Sequence, residues 1–88
     1  MDIKTQQSVY DHYDILEEIG TGAFGVVHRC REIKTGHVFA AKFIPISHAM
    51  EKALIRSGHY KATLSSWHFV KIDGLEGKSS FNAYLQTT

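Results

Sequence analysis

Apolar and polar positions divide the chain into short runs of different period. In "YDILEEIG" (13–20), Tyr13, Ile15 and Ile19 share one parity of an imperfect alternation, which predicts a β-strand. "VVHRCRE" (26–32) opens on two β-branched residues and lacks helical periodicity, predicting a second strand. A tight turn at "KTG" (34–36) leads into "HVFAAKFIPI" (37–46), a mostly buried third strand whose pairing should fade at Pro45, which has no backbone donor. In "HAMEKALIR" (48–56) good helix formers follow Ser47, a suitable N-cap, and Gly58 ends the pattern. Two apolar-aromatic runs, 67–72 and 81–85, follow, joined by a flexible connector, "DGLEGKSS". Residues 1–9 are polar and aperiodic and read as a loose terminus, part of a polar N-terminal segment spanning 1–12.

Composition narrows the function classes. Eighty-eight residues make one small domain, near the lower limit for a self-sufficient apolar core. The chain is 43% hydrophobic and 22% charged with a net charge of +1, so neither nucleic acid nor an acidic membrane is expected as a partner. A single cysteine, Cys30, excludes an internal disulfide and a Cys-rich zinc site. No run approaches the roughly 18 apolar residues of a membrane span, and the start has no signal-like apolar region; a reducing, cytoplasmic setting is expected. Six histidines are scattered without zinc-motif spacing and read as surface or partly packed imidazoles. No metal ligand is assigned.

The chemistry concentrates in "IGTGAFGVV" (19–27), which holds three of the seven glycines. Gly20, Gly22, Gly25 and Val27 spell G-x-G-x-x-G-x-V. The glycine spacing alone is shared by two unrelated phosphate sites. A dinucleotide turn needs a helix after the third glycine and an acid about twenty residues on. Here Val26-Val27 favour strand, and Ala40, Ala41 and Lys42 stand where the acid belongs. A Walker loop fails because no Gly-Lys-Ser/Thr follows. What remains is a β-hairpin flap whose backbone N–H groups approach phosphate oxygens where a Cβ would obstruct them. Phe24 at its tip would close over the phosphates. Val27 and Ile19 would form an apolar lid for a purine. On the third strand Ala40 and Lys42 share a parity: a small residue leaving room for a flat base, then an ammonium. A lysine in so apolar a strand is costly unless paired, which marks Lys42 as functional.

With these residues in view, "YDILEEIGTGAFGVVHRCREIKTGHVFAAKFI" resembles the start of a eukaryotic protein kinase catalytic domain, with its glycine-rich loop and V-A-I-K lysine. The wording is similar to the giant muscle kinases of the twitchin, projectin and titin group, relatives of myosin light chain kinases. The resemblance runs from about Tyr10 to Arg56. It implies an α+β fold, a truncated kinase small lobe of three antiparallel strands and the start of a helix over 13–56. It also implies a serine/threonine kinase ancestry, ATP with Mg²⁺ as cofactors, a protein substrate in a full-length parent, and a sarcomeric setting. Carried over, the nucleotide-binding residues are Ile19, Gly20, Thr21, Gly22, Ala23, Phe24, Gly25, Val26, Val27, Ala40 and Lys42.

The chain departs from that pattern after Arg56. The helix glutamate that pairs with the lysine in this family is expected at Gly58; Glu51 lies about two turns too early. H-R-D and D-F-G are missing, and Asp73-Gly74 lacks the Phe and lies too close to Lys42. No catalytic residue is assigned, and the chain as written should not phosphorylate anything. Residues 57–88 match no kinase segment and read as translated from an intron, a shifted frame or an alternative exon. The family's third strand pairs with a fifth that is missing here, so "HVFAAKFI" is expected to expose an apolar edge. Two readings of the tail stay open: disorder with sticky patches, or "WHFVKI" adding to that edge. A non-catalytic nucleotide-binding or regulatory module, a muscle interaction fragment and a truncated product without function are the competing readings.

Overall fold

The computed structural model describes residues 3–4, 7–22, 25–58, 67–74 and 82–87. Among the described residues six strands form one sheet: β1 (Ile3–Lys4), β2 (Tyr13–Gly22), β3 (Gly25–Glu32), β4 (Val38–Pro45), β5 (Trp67–Gly74) and β6 (Asn82–Thr87), in the order β1-β6-β5-β4-β3-β2. Helix α1 (His48–Arg56) joins β4 toward β5, and a 3₁₀ turn, Val9–Asp11, precedes β2. Strands β2 to β6 pair antiparallel; only β1 runs parallel to its neighbour.

The first half follows its sequence pattern. The glycine segment is strand for longer than the pattern suggested, because Gly22 pairs with Gly25 and leaves only Ala23 and Phe24 between them. Those two lie outside the described residues. Gly25 must be glycine: its φ is +143°, and a Cβ there would run into the Phe43 carbonyl oxygen on β4. The β3–β4 turn closes through Gly36 at φ +76°, whose N–H donates to Glu32 O at 2.8 Å. Pro45 is the last residue of β4, as its missing donor requires. Ser47 caps α1, its Oγ accepting from Met50 N–H at 3.2 Å. Gly58 ends the helix at φ +79°.

In the second half the structure selects one of the two open readings of the tail, "WHFVKI" added to the edge of the third strand. "HVFAAKFI" does not expose an edge: β5 pairs with β4 from Phe39↔Gly74 to Pro45↔His68, and Ile46 N–H adds a bond to Trp67 O at 3.3 Å. The tail therefore supplies the neighbour that the third strand lacked, and β6 extends the sheet. The sequence understated this because pairing depends on register, which periodicity does not reveal. "WHFVKI" carries both faces of a central strand, with Phe69, Val70 and Ile72 buried. Connector residues 75–80 lie outside the described set.

The described residues of the N-terminal segment, 3–4 and 7–9, are docked on the sheet rather than loose. Val9 is fully buried, and its N–H donates to Gln86 Oε1 on β6 at 3.0 Å. Gln86 Nε2 donates in return to Gln7 O at 3.1 Å. The polar composition of 1–9 hid this docking, which uses main-chain groups and one valine rather than an apolar stripe.

Burial divides between the two faces of the sheet. On one face Val9, Tyr13, Cys30, Ala41, Val70, Ile72 and Tyr84 form the principal core. Tyr13 lies at its centre, edge-on to Phe39 and Tyr84, and donates to Glu32 Oε2 at 3.4 Å while accepting from Asn82 Nδ2 at 3.3 Å. His28 also belongs to this face, with Nδ1 2.9 Å from Leu16 O and its ring against Phe43. On the other face Leu54 of α1 packs on Leu85, flanked by Ile46, Met50 and Trp67. Met50 and Leu54 are one helical turn apart, so a single stripe of α1 is buried.

Two predictions follow from this packing. Ile72 is fully enclosed although it belongs to the tail, so Ile72→Ala should cost about 2–5 kcal/mol in urea unfolding. A cost within about 0.5 kcal/mol, the usual range for surface sites, would contradict a tail integral to the sheet. The second concerns pH. Burial pushes the Cys30 thiol from 9.0 up to about 11 and the Tyr84 phenol from 10.0 up to about 12. Both groups are neutral in the folded chain, and the unfolded chain loses those protons first. Their contribution is complete below about pH 9 and lost as pH rises through 11 to 12. The urea midpoint should hold from pH 7 to 9 and then fall; a flat profile to pH 11 would contradict it.

Candidate functional site

The site is built on the β2–β3 hairpin and on β4. Register fixes its geometry: Gly20 is opposite Val27, and Val27 is opposite Lys42. Directly opposed residues in an antiparallel sheet share a face, so this row places the glycine hairpin, the valine and the ammonium on one side. Leu85 stands in the row Ile44–Phe69–Leu85, two residues along, so α1 covers that same side.

A cavity of about 280 Å³ opens where the hairpin meets β4, lined by Gly22, Gly25, Val26, Val27, Lys42, Phe43 and Ile44. Its wall is mostly apolar with one cation, the usual make-up of a small-ligand site. Gly22 has nothing within 4 Å of where a Cβ would stand, which leaves its backbone accessible. The volume falls just below the roughly 300–1,000 Å³ of complete ligand pockets, a size for part of a nucleotide rather than all of it.

Of the residues singled out in the sequence, the structure brings Gly22, Gly25, Val26, Val27 and Lys42 to this cavity. Ala40 shares the face of Lys42 by strand alternation and is buried, but it does not line the cavity. Gly20 and Thr21 lie in the paired part of β2, away from the lining. Ile19 is displaced by irregular pairing: the register of β2 shifts between Ile15 and Glu18 and again between Glu18 and Gly20. Each shift adds a residue to one strand and breaks the alternation, so Ile19 falls at the irregularity and is 44% exposed. Ala23 and Phe24 lie outside the described residues.

Three residues were missed. Phe43 and Ile44 complete the apolar wall; they are ordinary members of an apolar strand, and only the register with Val26 brings them to the hairpin. The third is Asp73. Its Oδ2 lies 3.2 Å from Lys42 Nζ, so the lysine is paired although its side chain is 45% exposed. The Lys71-x-Asp73 alternation was a sequence signal for a charged face on β5, but not for its partner. Glu51 lies elsewhere, 4.0 Å from His48 Nδ1 on its own helix.

Comparison with known proteins gives the same outline. No protein-family model matches the chain. Death-associated protein kinase 2 of Mus musculus is 54% identical over 44 residues, 50% of this chain and 12% of that protein. Smooth muscle myosin light chain kinase of Gallus gallus is 50% identical over 54 residues, 61% of this chain and 3% of that protein. Among solved structures, a twitchin kinase fragment from C. elegans, titled as autoregulated protein kinase and immunoglobulin domains, superposes with a TM-score of 0.52 at 55% identity. That superposition covers 64% of this chain and 12% of the twitchin chain. The chain thus spans 12% or less of the length of these relatives. Over half of its own length or more it is homologous to protein kinases, and its antiparallel sheet and helix have the fold of a kinase N-terminal lobe.

Proposed function

We propose that the chain is an ATP-binding N-lobe fragment of a serine/threonine protein kinase, without phosphoryl-transfer activity of its own. The observation that carries this reading is the cavity at which Gly22 and Gly25 of the hairpin meet Val27 and Lys42, a glycine turn and a strand-borne ammonium in one lining. In such a site backbone N–H groups of the hairpin accept close approach by phosphate oxygens. Lys42 supplies a positive charge to the same oxygens, and Val27 and Ile44 present an apolar surface to the adjoining part of the ligand.

The residues present fit a triphosphate better than they fit the metal that accompanies it. Lys42 and the open backbone at Gly22 are complementary to anionic oxygens. Among the described residues no group of three His, Cys, Asp or Glu side chains is arranged to hold a metal ion. Mg²⁺ would arrive as part of the nucleotide complex, neutralising phosphate charge. Phosphoryl transfer also needs a group that orients the acceptor hydroxyl, and the sequence has no H-R-D to supply one. A protein substrate, and any sarcomeric setting, belong to a full-length kinase of this type. No described helix is long and apolar enough to cross a membrane.

A thermal-shift titration tests the reading, because a ligand that binds only the folded chain must raise the midpoint. Mg-ATP should raise it by a small, saturable amount. Lys42→Met should abolish that shift while the ligand-free midpoint changes little, since the lysine side chain is 45% exposed. A radiolabelled phosphate assay with a generic peptide should show no turnover. No shift in the wild type would remove the nucleotide assignment, and turnover would remove the inactive one.

A further inference from the structure

The homologous pattern calls for a carboxylate on the helix to hold the lysine, and this chain puts Gly58 at that place. Gly58 sits just beyond α1 and closes it at φ +79°, so no side chain reaches the lysine from there. A carboxylate arrives from the opposite direction instead, on the strand beside β4.

The β4–β5 register sets Lys42 directly opposite Lys71 and Ala40 opposite Asp73. Two like charges directly opposed on one face of an antiparallel pair repel each other. Asp73 follows Lys71 by two residues, so it shares that face and stands diagonal to Lys42. Its Oδ2 lies 3.2 Å from Lys42 Nζ and 3.7 Å from Lys71 Nζ, one carboxylate oxygen between two ammoniums. The carboxylate is the more enclosed partner, 29% exposed against 45% for Lys42. A half-exposed pair of this kind contributes little net stability, so its effect is on where the ammonium sits.

We propose that Asp73 is the positioning residue for Lys42, standing in for the missing helix carboxylate and fixing where the ammonium sits at the edge of the cavity. An ammonium has three donors. One directed at Asp73 leaves two for phosphate oxygens, so the pair and an anionic ligand coexist. Without the carboxylate, the like charge of Lys71 is no longer offset and Lys42 turns toward solvent. The consequence for ligand binding rests on the nucleotide reading above; the restraint on Lys42 does not.

The test uses the full chain labelled with ¹⁵N at lysine Nζ, with the Lys42 signal identified by its loss in Lys42→Arg. Without nucleotide, the wild type should show a slowly exchanging Lys42 ammonium resonance. Asp73→Asn, which keeps the shape but removes the charge, should lose it. Asp73→Glu, one methylene longer, should retain it and also serves if the Asn variant folds poorly. With Mg-ATP as the probe, Asp73→Asn should weaken binding about tenfold, the scale of one hydrogen bond to a charged group, and Asp73→Glu should recover most of that. An unchanged Lys42 resonance in Asp73→Asn overturns the proposal. So does equal or tighter Mg-ATP binding, which would make Asp73 a competitor of the phosphates. If the wild type does not bind Mg-ATP, the nucleotide reading falls by itself and the resonance alone decides whether Asp73 holds Lys42.

Discussion

The structure depends on the pairing of β4 with β5. Strand β4 is the apolar centre of the sheet, with Phe39, Ala40 and Ala41 buried, and it can stay in water only if both of its hydrogen-bonding edges are occupied. The β2–β3 hairpin covers one edge through a homologous arrangement. The other is covered by Trp67–Gly74, from the part of the chain that has no kinase pattern. That ladder has three effects at once. It removes a sticky edge, brings Val70 and Ile72 into the core against Tyr13, and delivers Asp73 to Lys42.

The same pairing explains how the fold accommodates a tail without a kinase motif. A central strand asks little of its neighbour beyond β-propensity, apolar residues on both faces and a free backbone edge. "WHFVKI" meets those terms. Strand β6 then caps the far side, with Tyr84 on one core and Leu85 on the other. The N-terminal segment fastens onto β6 through Val9 and Gln86, so the two ends of the chain stabilise each other.

Lys42 draws its neighbours from both halves of the chain. Its place on β4 and its register with Val27 come from the homologous half. Its counter-charge comes from β5, because α1 ends at Gly58 before a helix carboxylate can appear. Four of the seven cavity-lining residues are equally local in origin: Gly22, Gly25, Val26 and Val27 all lie on the hairpin, where the glycines set the turn and the valines extend the strand.

By itself the sequence determined the elements whose cause is local. The hairpin follows from glycines that permit a tight reversal, the strands from β-branched runs, and the helix from Ser47 and the formers after it. The motif also named Lys42, because a cation amid "FAAKFI" needs a reason to be there. Tertiary structure alone decided the non-local matters: which strand covers β4, that Ile19 falls at an irregularity, that Val9 is buried, and that Asp73 meets Lys42. Each of these depends on register between segments far apart in the chain. A slip of one residue reverses every side chain on a strand without altering the pattern that predicted it.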